Sequence, residues 1–431
     1  MTTVANHGDV RRTIDALWRI ESPRLIAGLA RMVRDVGVAE ELAQDALVIA
    51  LERWPEDGVP DNPGAWLMTT AKRRAIDQLR RSQLIERKHE MVRHERESEL
   101  DYDSEAGVVL NDDIGDDLLR LVFTTCHPVL SAEARVALTL RLLGGLTTAE
   151  IARAYLVPEA TIAQRIVRAK RTLAEKHVPF EVPGAQERPE RFASVLEVIY
   201  LIFNEGYTAT AGEDWLRPAL CEDALRLGRV LAELAPREPE VHGLVALMEI
   251  QASRTRARTD ATGSPILLLE QNRSRWDRLL IRRGLSALAR AEALGGALGS
   301  YALQAAIAAC HARALSAEQT DWERIAALYE MLSGIAPSPV VELNRAVAEA
   351  MAFGPAAGLE RVDALVGEPA LKDYHLLPSV RGDLLNKLGR TDEARREFER
   401  AAALAGNSRE RELLLQRATA NSPESTSPLT H

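Results

Sequence analysis

Between Leu146 and Leu173 the sequence sets out a helix start, a corner and a second helix, and this succession constrains the fold more than any other stretch. Thr147-Thr-Ala-Glu150 is a capping box: the Thr147 hydroxyl can accept the Glu150 amide proton while the Glu150 side chain reaches back. Ile151, Ala152 and Tyr155 then form an inward face. Pro158 suits the first turn of a new helix, and the few residues between fit a helix-turn-helix corner. In that second helix Ile162, Ile166, Ala169 and Leu173 face a core, and the opposite stripe displays Thr161, Gln164, Arg165, Arg168 and Arg171. Together with Lys170 these are the candidate contacts to duplex DNA. Residues near the helix start reach base edges in the major groove, and the later cations take phosphates. An amphipathic surface helix with solvated arginines is the plainer alternative.

A second basic helix, Ala65–Arg81, lies earlier in the chain. It puts Thr70, Arg73, Arg74, Asp77, Arg80 and Arg81 on one face, with Leu67, Ala71, Ala75 and Leu79 behind and Lys72 adding charge. Asp77 stands at helical spacing from Arg73, Arg74 and Arg81, so part of this charge can pair internally. Trp54 and Trp66 can either stack on unpaired bases or pack in a core.

Charge is sorted along the chain. The formal net charge of −9 argues against indiscriminate nucleic-acid binding, yet residues 70–96 hold nine basic and four acidic side chains. Residues 97–117 hold nine acidic side chains and no basic ones. Ala, Leu, Glu and Arg dominate and aromatics are only 4%, a composition that favours helix over sheet. At 431 residues the chain needs two or three cores.

The expected architecture is therefore all-α. Leu25, Ile26, Leu29, Ala30 and Val33 mark one helix face, and Leu42, Ala46, Ile49, Ala50 and Trp54 a second that Pro55 stops. A Pro/Gly/Asp-rich loop, Pro55–Gly64, leads into the first basic helix. The pattern predicts a first helical bundle at 8–82, a flexible acidic linker at 83–115, the helix-turn-helix unit at 116–177, a further helical domain at 191–417 and a polar tail at 418–431. Three prolines between Val178 and Pro189 mark a boundary. In the last domain Gly382, Leu385, Gly389, Ala394, Phe398 and Ala401 match the small and large positions of a tetratricopeptide helix pair, and Leu343–Leu365 resembles a degenerate second copy.

Three matches in order along residues 10–177 resemble an extracytoplasmic-function sigma factor, a bacterial initiation factor reduced to sigma regions 2 and 4. Ala39-Glu-Glu-Leu-Ala-Gln-Asp45 is similar to that family's core-polymerase-binding helix. Ala65-Trp-Leu67 with Arg74-Ala-Ile-Asp77 and Leu79-Arg-Arg81 resembles its −10 recognition helix. Glu150-Ile-Ala152, Val157-Pro158 and Thr161-Ile162 with Arg165 resemble its −35 helix-turn-helix. The resemblance implies that Asp35, Glu40, Glu41, Leu42, Gln44 and Asp45 meet the β′ clamp helices of the polymerase core, and that region 4 meets the β flap. It further implies −10 contacts from Thr70, Lys72, Arg73, Arg74, Asp77, Arg80 and Arg81, with an extruded base held near Pro55–Gly64. The family usually has Asn where Arg73 stands, and Gly at Leu156, where a turn needs positive φ. The long extension, together with Thr125-Cys126-His127-Pro128, is similar to a subgroup with a fused tetratricopeptide-like domain, which implies a protein or peptide partner.

Other chemistry is weakly supported. Cys126-His127 is the only nucleophile-like pair, and adjacent side chains on a helix diverge by about 100°, so a structural turn before Pro128 is expected. Asn204-Glu205-Gly206-Tyr207 reads as a helix end with a glycine cap, or else as pocket lining. No phosphate loop or metal spacing is present, so no cofactor, metal or catalytic residue is expected. Three scattered cysteines and a first segment without signal-peptide character point to the cytoplasm. Ala293–Cys310 has too few large apolar residues for a membrane span and reads as a helix pair with a turn. The competing function is a helix-turn-helix regulator that binds operators itself and uses the repeat domain as a sensor, without polymerase docking.

Overall fold

A computed structural model describes residues 7–91, 113–208, 216–260, 264–295 and 298–420, excluding the side chains of 7–12, 15, 81–91 and 113–114. Among the described residues every regular element is helical. The chain divides into two compact units, Met1–Val198 and Ile199–His431.

The first unit opens with α1 (His7–Val33), α2 (Val36–Asp57) and α3 (Pro63–Met91). Asp35 caps α2, its Oδ1 accepting the amide protons of Gly37 and Val38 at 2.7 and 3.0 Å. Ile26, Leu29, Leu42, Ala46, Trp54, Leu67, Ala71 and Ala75 fill the space between the three helices. Pro55 does not stop α2. It lies in the last turn, and Gly58 ends the helix at φ 85, with its amide on the Trp54 carbonyl. Asn62 caps α3 through Ala65, so the expected Pro55–Gly64 loop is reduced to its middle. α3 continues to Met91, past the expected linker start, and α4 (Asp113–Thr125) begins before its expected end. The rest of that acidic run lies outside the described residues, as does the tail beyond Ala420, where the last helix ends.

α5 (Ala132–Leu142), α6 (Thr148–Ala154) and α7 (Glu159–Glu175) follow α4. The first unit also takes in the first half of α8 (Arg188–Tyr207), so it runs past the boundary expected at 191. Phe192 packs edge-on against Phe123 with centroids 5.0 Å apart. Arg191 donates to the Phe123 carbonyl at 2.7 Å, and Ser194 to the Cys126 carbonyl at 2.6 Å. The Thr125–Pro128 stretch is thus the seat on which the extension begins. Cys126 is buried, hydrogen-bonded with Thr139, and its thiol is pushed above the ordinary range by burial, which removes nucleophilic character.

The second unit contains α9 (Pro218–Leu234), α10 (Pro239–Ala252), α11 (Arg278–Ala293), α12 (Ser300–Arg313) and α13 (Trp322–Ile335). It continues with α14 (Pro339–Phe353), α15 (Pro355–Leu365), α16 (Leu376–Lys387), α17 (Thr391–Leu404) and α18 (Ser408–Ala420). One core gathers Leu247, Ile250, Leu288, Leu303 and Ile325, and another gathers Leu343, Val362, Leu385, Phe398 and Leu414. The α16–α17 pair is built as its sequence implies: Gly389 turns the chain at φ 76, and a Cβ on Gly382 would lie 3.0 Å from the Phe398 ring. Gly206 is not a cap. It lies inside α8, where a Cβ would come within 2.7 Å of the Cys221 backbone on α9. No helix among the described residues is long and apolar enough to cross a membrane.

Candidate nucleic-acid interface

The helix-turn-helix corner forms as a chain of local bonds. The Thr147 hydroxyl accepts the Glu150 amide proton at 3.2 Å, and Glu150 Oε2 accepts the Thr147 amide proton at 2.8 Å. Burial opposes charge on Glu150, but these bonds and the Arg19 guanidinium of α1 hold its carboxyl below the ordinary value. At the other end of α6, Leu156 takes φ 51 and the Val157 amide bonds back to the Ala152 carbonyl at 3.1 Å. That closure requires a left-handed residue, and here leucine fills the position. Pro158 stands one place before α7, at the N-cap position but without a side-chain capping bond, rather than occupying its first turn.

On α7, Ile162, Ile166, Ala169 and Leu173 are buried. Gln164, Arg168 and Arg171 are exposed, while Thr161 and Arg165 are half-buried on the same stripe. Arg171 ion-pairs with Glu175 one turn on, whereas Arg165 and Arg168 have no ion pair among the described residues. Lys170 lies off this stripe and pairs with Glu40 on α2.

α3 buries Leu67, Ala71 and Ala75 and leaves Arg73, Arg74, Asp77 and Arg80 exposed, with Thr70 and Lys72 half-buried. Leu79, expected behind the basic face, is also exposed. Asp77 makes no ion pair with Arg73 or Arg74; Arg74 instead pairs with Asp45 of α2. The Arg81 side chain lies outside the described residues. Trp54 is buried, with its ring edge-on to half-buried Trp66 at 5.2 Å, so Trp54 packs in the core.

The residues expected to meet polymerase separate into three groups. Glu41 and Asp45 are exposed. Leu42 is in the core, and Asp35 is the α2 cap. Glu40, only 3% exposed, lies beneath the helix-turn-helix part: Arg141 Nε of α5 donates to it at 2.6 Å, Lys170 pairs with its other oxygen, and Gln44 donates to it at 2.7 Å. Gly145 completes this contact, since a Cβ there would lie 3.2 Å from the Arg19 Cα on α1. Arg141 and Arg19 escaped the sequence reading because their partners are far away in the chain.

A three-helix bundle with a basic outer helix, followed by a helix-turn-helix with its own displayed cations, is the frame of a two-site transcription factor. Comparison with known proteins gives the family. Residues 17–85 match the family model for Sigma-70 region 2, and residues 120–173 match that for Sigma-70, region 4. Residues 191–292 match a family of unknown function, DUF6596. The ECF RNA polymerase sigma factor SigK of Mycobacterium ulcerans (strain Agy99) is 34% identical over 155 residues, 35% of this chain and 78% of that one. An uncharacterized protein of Rhizobium meliloti (strain 1021) is 45% identical over 391 residues, 90% of this chain and 91% of the relative. The chain belongs to the extracytoplasmic-function sigma factors of the sigma-70 family. Members of this family are non-enzymatic initiation factors, with RNA polymerase core and promoter DNA as their partners.

Proposed function

We propose that this protein docks on bacterial core RNA polymerase and directs promoter-specific initiation. Region 4 reads the −35 duplex through Thr161, Gln164 and Arg165 at the start of α7, with Arg168 and Arg171 on phosphates and Lys170 joining them when it leaves Glu40. Region 2 receives the opening −10 element along Thr70, Lys72, Arg73, Arg74, Asp77, Arg80 and Arg81. The exposed Glu41 and Asp45 face of α2 meets the β′ clamp helices and region 4 meets the β flap, so that two modest DNA contacts act on one mounted body. The observation that carries this reading is the α7 stripe: a corner-fixed helix whose apolar face is buried and whose Arg165 and Arg168 have no ion pair among the described residues.

The contact of Glu40 with Arg141 and Lys170 covers part of the expected polymerase face. Docking would then exchange these intramolecular cations for polymerase groups and free Lys170 for DNA. The helical extension modulates this activity through a protein or peptide partner held in a tetratricopeptide-like groove. Run-off transcription with bacterial core polymerase tests the reading. The full chain should yield promoter-specific transcripts, Arg165→Ala should weaken −35 use, and Arg73→Ala should alter −10 selection or opening. Absence of any specific transcript, with operator binding by the free protein instead, would favour the regulator alternative.

A further inference from the structure

Within the second unit, α10, α12, α13 and α14 and the end of α8 enclose a cavity of about 260 Å3. Its polar lining includes Tyr200, Gln251, Arg254, His311, Tyr329 and Asn344, together with Gln304, whose amide is already bonded to the Tyr200 hydroxyl and the Ser300 carbonyl, and it contains no carboxylate. Arg254 has no ion pair among the described residues. Its guanidinium donates to the Tyr207 hydroxyl and lies 5.8 Å from the centroid of that ring and 5.7 Å from that of Trp276. Contact with two aromatic faces fixes the cation without neutralising it.

Two more guanidiniums crowd the same rings: Arg258 lies 3.5 Å from the Tyr207 centroid and Arg273 5.1 Å from that of Trp276. Burial, with Arg254 adding to it, pushes Arg258 down to about 10. Burial, then Arg254 and Arg273, pushes His311 down to about 3, so its imidazole is neutral at physiological pH. Gln251 and Asn344 make no side-chain hydrogen bond among the described residues. A positive, partly enclosed space with idle amides gains most from an occupant that brings the missing negative charge.

We propose that this cavity binds a small organic anion, its carboxylate or phosphate on Arg254 and its neutral polar atoms on Gln251, Asn344 and the Tyr200 and Tyr329 hydroxyls. At ~30 Å3 per water the space equals roughly nine waters, which suits a metabolite smaller than a drug-sized ligand. Binding rests on the second unit alone and is independent of the promoter reading.

Titration calorimetry on the full chain tests it with citrate, gluconate, glucose 6-phosphate and inorganic phosphate, and with glucose as the neutral control. At least one anion should bind saturably at one site while glucose does not; which probes bind separates carboxylate from phosphate recognition. Arg254→Met should weaken that binding about ten- to a hundredfold. Asn344→Leu, at the exposed rim, should weaken it about three- to tenfold and decides the matter if Arg254→Met fails to fold by circular dichroism. The proposal is overturned if none of the four anions binds, if glucose binds as well as they do, or if the deciding variant keeps wild-type affinity.

Discussion

Arg141 Nε donates a 2.6 Å hydrogen bond to Glu40 Oε1 across 101 residues of sequence, joining the helix-turn-helix part to the second helix of region 2. Lys170 engages the other oxygen of the same carboxylate, and Arg141 also donates to the Leu146 carbonyl at 3.2 Å, at the entry to the helix-turn-helix. One buried carboxylate thus organises two cations from two different helices. Arg141→Ala leaves Lys170 on the carboxylate but removes one charge-assisted hydrogen bond from a buried site, so it should destabilise the first unit by about 1.5–3 kcal/mol in urea unfolding. A double-mutant cycle of Arg141→Ala with Glu40→Gln should show coupling above about 1 kcal/mol. Additive effects would mean the pair contributes nothing.

Leu156 holds a left-handed conformation at 55% exposure, so its side chain has little packing to lose. Leu156→Gly should raise stability by about 0.5–1 kcal/mol, since relief of strain exceeds the added chain entropy. Leu156→Val should lower it, because branching at Cβ worsens the same clash. A Tm order other than Gly above Leu above Val would contradict this account of the corner.

Phe192 and Ser194 tie the start of the extension to region 4. Phe192→Ala should cost about 3 kcal/mol, through lost contact with Phe123 and the cavity left behind. Ser194→Ala should cost about 1 kcal/mol, by removing the donor to the Cys126 carbonyl. Amide exchange read in α4 would localise both losses; protection there unchanged in Phe192→Ala would refute the docking.

His311 makes stability depend on pH. Its folded value of about 3 lies below the ordinary 6.5, so between those values the unfolded chain binds a proton that the folded chain does not. Stability from this residue is complete above about pH 6.5 and is lost progressively as pH falls towards 3. His311→Gln should therefore flatten the acid limb of the stability curve by up to a few kcal/mol. Parallel curves for the two proteins over pH 7 to 4 would rule this out.

Small residues in the helix pairs of the second unit are tested by size. A Cβ on Gly358 would lie 2.4 Å from the Ala350 Cβ and 2.6 Å from the Ala346 carbonyl, tighter than the 3.0 Å approach of Gly382 to Phe398. Gly358→Ala should therefore destabilise more than Gly382→Ala, with overpacking of about 1–3 kcal/mol setting the scale. The reverse order in thermal unfolding would show that α14 and α15 yield more easily than α16 and α17.

The parts legible in the sequence are those decided within a few residues of chain. The Thr147–Glu150 capping box and the buried face Ile162, Ile166, Ala169 and Leu173 follow from helical spacing and the valence of the helix ends, and the left-handed demand at Leu156 was implied by the family resemblance. The Gly382–Phe398 fit was also readable, because two successive helices must pack on each other. The family resemblance implied that Glu40 meets polymerase, and the basic run of the second helix of the helix-turn-helix put Lys170 among DNA contacts, whereas the tertiary structure joins the two in one ion pair. It likewise carried the start of α8 onto the Phe123 and Cys126 carbonyls and gathered Arg254, Arg258 and Arg273 around two rings. Whether a charge is buried, and what neutralises it, depends on which distant surface covers it, and local periodicity carries no information about that surface.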